Sequence, residues 1–459
     1  LLHNLHSTDT IVAVATAPGV GAIAVIRLSG PEAISITDSV FRGKDLLQQA
    51  SHTLHFGTIR DGEKVLDEVL VSLFVAPHSY TKENVVEISC HGSDFIVQQI
   101  IQLLLKKGAR LANAGEFTKR AFLNGQFDLA QAEAVADLIA SDSALSHEVA
   151  MKQMRGGFSQ EIKRLRGELV HFASMIELEL DFAEEDVEFA DREQLRALIN
   201  NIQRIIRDLL KSFELGNVIK NGVPTVIVGK PNAGKSTLLN KLLNEEKAIV
   251  SDVPGTTRDF IEDEINIEGI TFRFIDTAGL RETTDKVEAI GVERTMQKLS
   301  QSSLIIYLFD ITEVTAAEVQ AELDRLNPKK LPLIAVANKI DQATPEKLQR
   351  FESIAGLVPI SAAEGANLEE LKQALIEKVN FGKLNTRNQT IVTNLRHVDS
   401  LHKTYAALDD VLNGLALGIS NDLVAADIRR ALYALGEITG EITTDDLLDN
   451  IFTKFCIGK

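Results

Sequence analysis

The sequence predicts a multidomain protein of the α/β plus α class. A small N-terminal α+β domain comes first. A helical domain follows, split into two halves, with a doubly wound α/β domain inserted between them. Three observations predict this. Residues 219–384 alternate short apolar runs with helical patterns, opening around Gly229-Lys230-Pro231-Asn232-Ala233-Gly234-Lys235-Ser236. In residues 127–218 and again beyond 385, apolar residues recur three or four apart, the period of a helix face. Residues 1–126 instead hold short apolar runs bounded by turn residues.

Bulk composition agrees with several soluble cores. The chain has 459 residues, more than one core organises. Its 45% apolar and 25% charged content is the balance of a globular protein. Lys and Arg number 48 against 65 Asp and Glu, a net charge of −17. Net charge therefore gives no sign of a nucleic-acid partner, and any RNA contact must use a local basic patch. Two cysteines, Cys90 and Cys456, make neither a disulfide framework nor a zinc set, which fits a reducing cytoplasm. No apolar run is long enough to span a bilayer, and no basic segment followed by an apolar one reads as a signal peptide.

In the first domain, Ile11–Ala15 and Ile23–Leu28 flank a Pro18-Gly19 turn and read as two strands. Val69–Val75 and Val85–Cys90 read as two more. Ile96–Leu105 reads as a helix stopped by Lys106-Lys107-Gly108. In the helical part, Ile162, Leu165, Leu169, Phe172, Ile176 and Leu180 make one stripe. Leu195, Leu198, Ile202, Ile205, Leu209 and Phe213 make a second, so two long antiparallel helices fit. The acidic run Glu184–Glu188 between them reads as a solvated loop. Asn221-Gly222 turns into Val223–Val228, a buried strand. Phe260–Ile267 and Thr271–Ile275 read as a hairpin, and Leu304–Phe309, Leu333–Val336 and Leu357–Ile360 as further strands. Near the end, Asn421 or Asp422 is placed to cap a helix carrying Leu423, Ala426, Leu432 and Leu435, with Gly436 near its end.

Chemistry enters at the inserted domain. Gly229–Ser236 fits G-x-x-x-x-G-K-[ST], a phosphate-binding loop, and has the strand before it and the helix after it that the motif needs. Backbone N–H groups of Asn232, Ala233, Gly234 and the following residues to Thr237 then converge on phosphates. Lys235 reaches the β- and γ-phosphates, and the Ser236 hydroxyl binds Mg²⁺. Asp276-Thr277-Ala278-Gly279 closes a strand, where the carboxylate holds Mg²⁺ through water and the Gly279 N–H meets the γ-phosphate. Asn338-Lys339-Ile340-Asp341 follows another strand. An aspartate there accepts both N–H donors of guanine, a pair that adenine lacks, which disfavours an ATPase. Ser361-Ala362-Ala363 follows the next strand, where a backbone N–H reaches guanine O6. Thr256-Thr257-Arg258-Asp259 stands where a switch threonine belongs, with Thr257 on Mg²⁺. These motifs, in this order, resemble the translation-factor-related class of Ras-like P-loop GTPases. Leu280 stands where Ras-like enzymes carry a water-orienting glutamine, so hydrolysis draws on other groups. Asn232 is a candidate ligand for a monovalent cation beside the phosphates. Glu282, Glu288 and Glu293 are all candidates to orient water, and spacing does not choose among them.

The end Phe455-Cys456-Ile457-Gly458-Lys459 does not match a prenylation box, and on residue type alone Cys456 is an exposed thiol. Together with Gly115–Gly125 and Asp128–Ala134, this end resembles the MnmE (TrmE) family of tRNA uridine-modification GTPases, over nearly the whole chain. The resemblance implies an N-terminal tetrahydrofolate-binding and dimerisation domain (1–126), a helical domain in two parts (127–218 and 385–459) and an inserted GTPase domain (219–384). It implies a homodimer through the N-terminal domains and an FAD-containing partner, MnmG (GidA). It also implies potassium-stimulated GTP hydrolysis in a bacterial cytoplasm. That pair modifies C5 of the tRNA wobble uridine with an aminomethyl or carboxymethylaminomethyl group. The resemblance implies that a 5,10-methylene- or 5-formyl-tetrahydrofolate supplies the one-carbon unit.

Matched by motif, the folate residues are Arg27, Glu87, Gln126 and Lys459. The family usually has lysine where Gln126 stands, and glutamine offers a hydrogen bond but no charge. Ala114 replaces a usual proline. The potassium ligands match Asn232, Ser251, Val253 and Thr256, the water-orienting glutamate matches Glu288, and Cys456 matches a tail cysteine required for modification. A GTP switch in ribosome assembly, without enzymatic modification, shares the same GTPase motifs. It has no need of folate or Cys456.

Overall fold

The computed structural model describes residues 9–181, 191–247, 263–275, 302–326, 331–379 and 390–458. They form two compact units. One holds residues 1–139, 151–203 and 399–459, and the other 140–150 and 204–398.

The first unit is built on a seven-stranded sheet. Its strands are β1 (Ile11–Val14), β2 (Gly21–Ser29), β3 (Phe41–Arg42), β4 (Thr53–Asp61), β5 (Lys64–Phe74), β6 (Val85–Gly92) and β7 (Arg110–Leu111). The order is β3-β4-β5-β6-β2-β1-β7, antiparallel except for the β1–β7 pair. Helices α1 (Ala33–Val40) and α2 (Asp94–Lys106) pack on one face through Ile36, Val40, Ile100, Leu103 and Leu104, against Ile26, Leu28, Val71 and Ile88. The four expected strands and the expected helix are present. Strand β4 and helix α1 had no clear sequence signal. In β4 the apolar Leu54 and Phe56 face outward while His55 and Gly57 are buried, so the alternation reads backwards. In α1, Ile34, Ile36, Thr37 and Val40 are β-branched residues of strand-forming type.

The same unit carries α3 (Glu116–Leu123), all but the last residue of α4 (Leu129–Ala140), α6 (Gly157–Asp181) and, from the end of the chain, α13 (Asn421–Thr439) and α14 (Asp445–Phe452). Between these in sequence come α5 (Ala144–Met154), α7 (Arg192–Asn221), α8 (Lys235–Lys247), α9 (Ala316–Leu326), α10 (Pro345–Gln349), α11 (Leu368–Lys378) and α12 (Leu395–Leu417). The stripe Ile162, Leu165, Leu169 and Ile176 of α6 is fully buried, and α6 packs along α13. The two helical segments, far apart in sequence, thus share one core. The Arg192 guanidinium bonds both Glu179 and Asn421, crossing the same junction. The expected cap is corrected: Ser420 precedes α13, which runs past Gly436 and stops at Gly440. Gly440 takes φ +82°, a left-handed stop that glycine adopts without strain. Gly436 instead lies buried within the helix.

The second unit is built on a six-stranded sheet. It comprises β8 (Val223–Val228), β9 (Asp263–Ile267), β10 (Ile270–Phe274), β11 (Leu304–Asp310), β12 (Leu333–Asn338) and β13 (Val358–Pro359), in the order β13-β12-β11-β8-β10-β9. Only the β9–β10 hairpin is antiparallel. Alternate residues of β11 enter two cores. Leu304, Ile306 and Leu308 meet α8 and α11, while Ile305, Tyr307 and Phe309 meet α9. Helices on both faces of a mostly parallel sheet make the doubly wound arrangement, with ligand sites expected beyond the strand C-termini.

Candidate functional site

Beyond β8 the chain passes through the phosphate-loop motif into α8. Gly229 has φ +156° and lies so close to β11 that a Cβ would sit 2.0 Å from the Leu308 carbonyl oxygen. A Cβ on Gly234 (φ +97°) would sit 2.2 Å from Asn338 Nδ2. These two glycines are required by close approach as well as by backbone angle. Asn232 holds φ +63° and is exposed, Ala233 is buried, Ser236 is half-buried and Thr237 is exposed. The Lys235 ammonium folds over the loop, donating to the Gly229 and Lys230 carbonyls at 2.7 and 2.8 Å. Burial pushes its pKa down. The loop therefore holds a desolvated cation at a helix N-terminus, a setting that favours an anion.

Asn338, at the end of β12, ties three pieces together. Its Nδ2 donates to the Ala233 carbonyl at 2.7 Å, and its Oδ1 accepts from the Ala362 N–H at 2.9 Å. Lys339 takes φ +65° and its ammonium lies 2.6 Å from Asp310 Oδ2. The Ile340 N–H bonds the Ile360 carbonyl. Asp341 is exposed, and a hydrogen bond from Ser361 leads the causes that lower its pKa. The structure thus brings Asn232–Thr237, Asn338–Asp341 and Ser361-Ala362 to the C-terminal ends of β8, β12 and β13. Ser251, Val253, Thr256, Thr257, Asp276, Thr277, Ala278, Gly279, Glu288 and Lys459 lie outside the described residues.

In the first unit, Arg27 and Glu87 face each other directly across β2 and β6. Arg27 Nε donates to Glu87 Oε1 at 2.8 Å, and both side chains are about a quarter exposed. The guanidinium lies 5.5 Å from the Tyr80 ring centroid and 5.8 Å from that of Phe117. The Tyr80 hydroxyl bonds Thr118, and its ring meets Phe127 edge-on. Gln126, next to Phe127, is exposed on the turn after α3.

The C-terminal tail is stitched to this same region. Phe452 and Phe455 are buried beside Leu129. The Cys456 carbonyl accepts from the Gly115 N–H, and Ile457 bridges Ala114. Gly458, at φ +96°, lies against β1, where a Cβ would meet the Val14 carbonyl oxygen at 2.1 Å. Residue 13, next along β1, pairs with Arg27. The Cys456 side chain is exposed.

A family model described as the MnmE helical domain matches residues 129–456. One described as the GTP-binding protein TrmE N-terminus matches residues 10–126. The chain belongs to the MnmE family. A "tRNA modification GTPase MnmE" from Cytophaga hutchinsonii is 62% identical over 99% of this chain and 98% of its own. Proteins of the same name from Flavobacterium psychrophilum and Bacteroides thetaiotaomicron are 57% and 54% identical, each covering 98% of this chain and 99% of their own. The chain is accordingly a GTPase, with an N-terminal α+β domain, a split helical domain and an inserted GTPase domain. No helix among the described residues is long and apolar enough to cross a membrane.

Two residues at these sites were missed in the family's sequence motifs. Asp310 ends the run Leu304–Phe309, and a lone carboxylate at the C-terminal end of a buried parallel strand was the available signal. Tyr80 gave none, because only the fold carries its loop over Arg27.

Proposed function

We propose that this chain is a potassium-stimulated GTP hydrolase that acts with the FAD protein MnmG on C5 of the tRNA wobble uridine. The one-carbon unit comes from a tetrahydrofolate. The observation that carries the reading is the stitching of the Cys456 tail onto the sheet that holds Arg27 and Glu87.

In the nucleotide site, the two loop carbonyls that now hold Lys235 are weak partners for a desolvated ammonium. Exchange of those partners for phosphate oxygens gives the Lys235 ammonium anionic acceptors and stronger, charge-assisted hydrogen bonds. Asp341 accepts the guanine N–H pair, and a backbone N–H of the Ser361-Ala362-Ala363 stretch, other than the Ala362 N–H held by Asn338, reaches guanine O6. Ser236 and Thr257 are the residues we assign to Mg²⁺, with Asp276 reaching it through water. Asn232, Ser251, Val253 and Thr256 are those for K⁺. Glu288 orients the attacking water. The cations, when bound, neutralise charge that develops on the transferring phosphoryl group.

In the first unit, Arg27 and Glu87 present a donor and an acceptor side by side between two rings. That pairing fits the amide edge and carboxylates of a folate. Gln126 and Lys459 complete the set we assign. The homodimer reading draws on the outer face of the same sheet, where Phe56 and Leu70 are direct cross-strand partners and both exposed, with Ile23 exposed as well. A second copy covers such a face. The setting we assign is the bacterial cytoplasm.

Nucleoside analysis of tRNA from cells whose only copy carries Cys456→Ser, alongside the variant's GTP turnover, tests this. Lost wobble modification with intact turnover supports the tail in modification chemistry driven by the GTPase. Intact modification refutes that role.

A further inference from the structure

Asp310 has no place among the nucleotide motifs, yet it is one of the best-buried carboxylates in the second unit. Its side chain is 5% exposed, at the C-terminal end of β11. Burial alone would raise its pKa. Lys339, together with the Thr312 hydroxyl and N–H, outweighs burial and leaves it lowered, so the carboxylate is charged. Oδ1 accepts from the Thr312 N–H at 2.8 Å and from its hydroxyl at 2.6 Å. Oδ2 holds the Lys339 ammonium. The Thr312 carbonyl is in turn held by Lys347 of α10. Asp310 is therefore fixed from one side and presents one oxygen to the other.

The residue it holds is the unusual one. Lys339 sits between Asn338, which staples the phosphate loop, and Ile340-Asp341. It does so at φ +65°, where a side chain is strained. Such a conformation persists only where its surroundings impose it. Three contacts hold it here: the Ile340 N–H on the Ile360 carbonyl at 3.2 Å, the Gln342 N–H on the Lys339 carbonyl at 3.0 Å, and, alone in gripping the side chain, the ion pair with Asp310. Relaxation of residue 339 to an ordinary backbone angle would rotate the chain that follows and swing the Asp341 carboxylate away.

We propose that Asp310 is a positioning residue for guanine recognition, acting through Lys339. The buried carboxylate pins the left-handed residue and thereby sets the direction of Asp341. The inference rests on the guanine reading of Asn338–Asp341. It concerns nucleotide affinity, not the hydrolytic step.

The test is a double-mutant cycle in the full chain, read with a fluorescent GDP analogue and with steady-state GTP hydrolysis. Asp310→Asn keeps the shape and removes the charge. Lys339→Gly removes the strain at φ +65°, because glycine adopts that angle freely. Asp310→Asn is expected to raise the GDP Kd about tenfold and KM for GTP with it, leaving kcat at saturating GTP within about twofold. In the Lys339→Gly background the same change is expected to alter Kd less than twofold. An equal loss in both backgrounds would assign Asp310 a general structural role and overturn the proposal, as would no loss in either. If Asp310→Asn does not fold, Asp310→Glu, which keeps the charge one methylene further out, is expected to show a smaller loss that again vanishes with Lys339→Gly. Failure of the unaltered protein to bind the GDP analogue would instead refute the guanine reading itself, and this inference with it.

Discussion

Replacement of Gly458 by alanine should unlatch the tail. Two costs add at this position. The backbone stands at φ +96°, outside the angles an L side chain prefers, and the left-handed region costs a non-glycine residue about 1–2 kcal/mol. The new methyl would also lie 2.1 Å from the Val14 carbonyl oxygen, and 3.2 Å from the Ala15 Cα, so backbone must move rather than a flexible side-chain end. A combined cost of about 2 kcal/mol shifts the latch equilibrium roughly 30-fold toward the open form. The phenylalanines upstream, Phe452 and Phe455, stay buried, so the opening is confined to the last few residues. Amide hydrogen exchange reads it directly, since the Gly115 N–H loses its Cys456 acceptor. Protection at Gly115 should fall by about the same factor, wobble-uridine modification should fall with it, and GTP turnover should not change. Unchanged Gly115 protection with normal modification would refute the idea that close packing of Gly458 holds the tail in place.

Asn338→Ala leaves the Ala233 carbonyl and the Ala362 N–H without their buried partner, at about 1–3 kcal/mol each. GDP affinity, measured by titration, should fall on the order of 100-fold, and thermal unfolding should come earlier. Lys235→Met tests the cost of a buried ammonium. The folded pKa of Lys235 is below its ordinary 10.5, so the unfolded chain keeps a proton that the folded chain has lost as pH approaches 10.5 from below. Stability of the nucleotide-free protein should therefore rise through that window relative to the Lys235→Met variant, as followed by urea unfolding. A flat difference would refute the burial argument. Burial, with Asp67 adding to it, raises the Cys90 thiol to about 11, while Cys456 is exposed. At pH 8 one thiol per chain should react quickly with a thiol reagent, and two only after unfolding.

The nucleotide domain was legible in outline because its strands are continuous apolar runs and its loop needs glycine at fixed places. Val223–Val228, Leu304–Phe309 and Leu333–Val336 are strands within one or two residues of expectation. Strand β4 was not legible, since its outward Leu54 and Phe56 carry the apolar signal and its inward His55 and Gly57 do not. Of the site, Asn338 and Lys235 could be read from their motifs. The Asp310–Lys339 pair could not, because no spacing rule joins the end of one parallel strand to the turn after the next. The placement of Gly458 against Val14 depends on the whole chain length between them, and local pattern carries no information about it.

The pairing of α6 with α13 has a consequence for synthesis. On the ribosome, Ile162, Leu165, Leu169 and Ile176 emerge long before residues 421–439 exist to cover them. The nucleotide sheet, whose strands all lie between residues 223 and 359, has every partner it needs and is free to fold during that wait. The nascent chain then carries a finished nucleotide sheet while α6, earlier in the chain, still shows its apolar stripe. Such an intermediate is a natural client for a chaperone, and truncation before residue 439 should yield a protein that aggregates although its nucleotide sheet is intact.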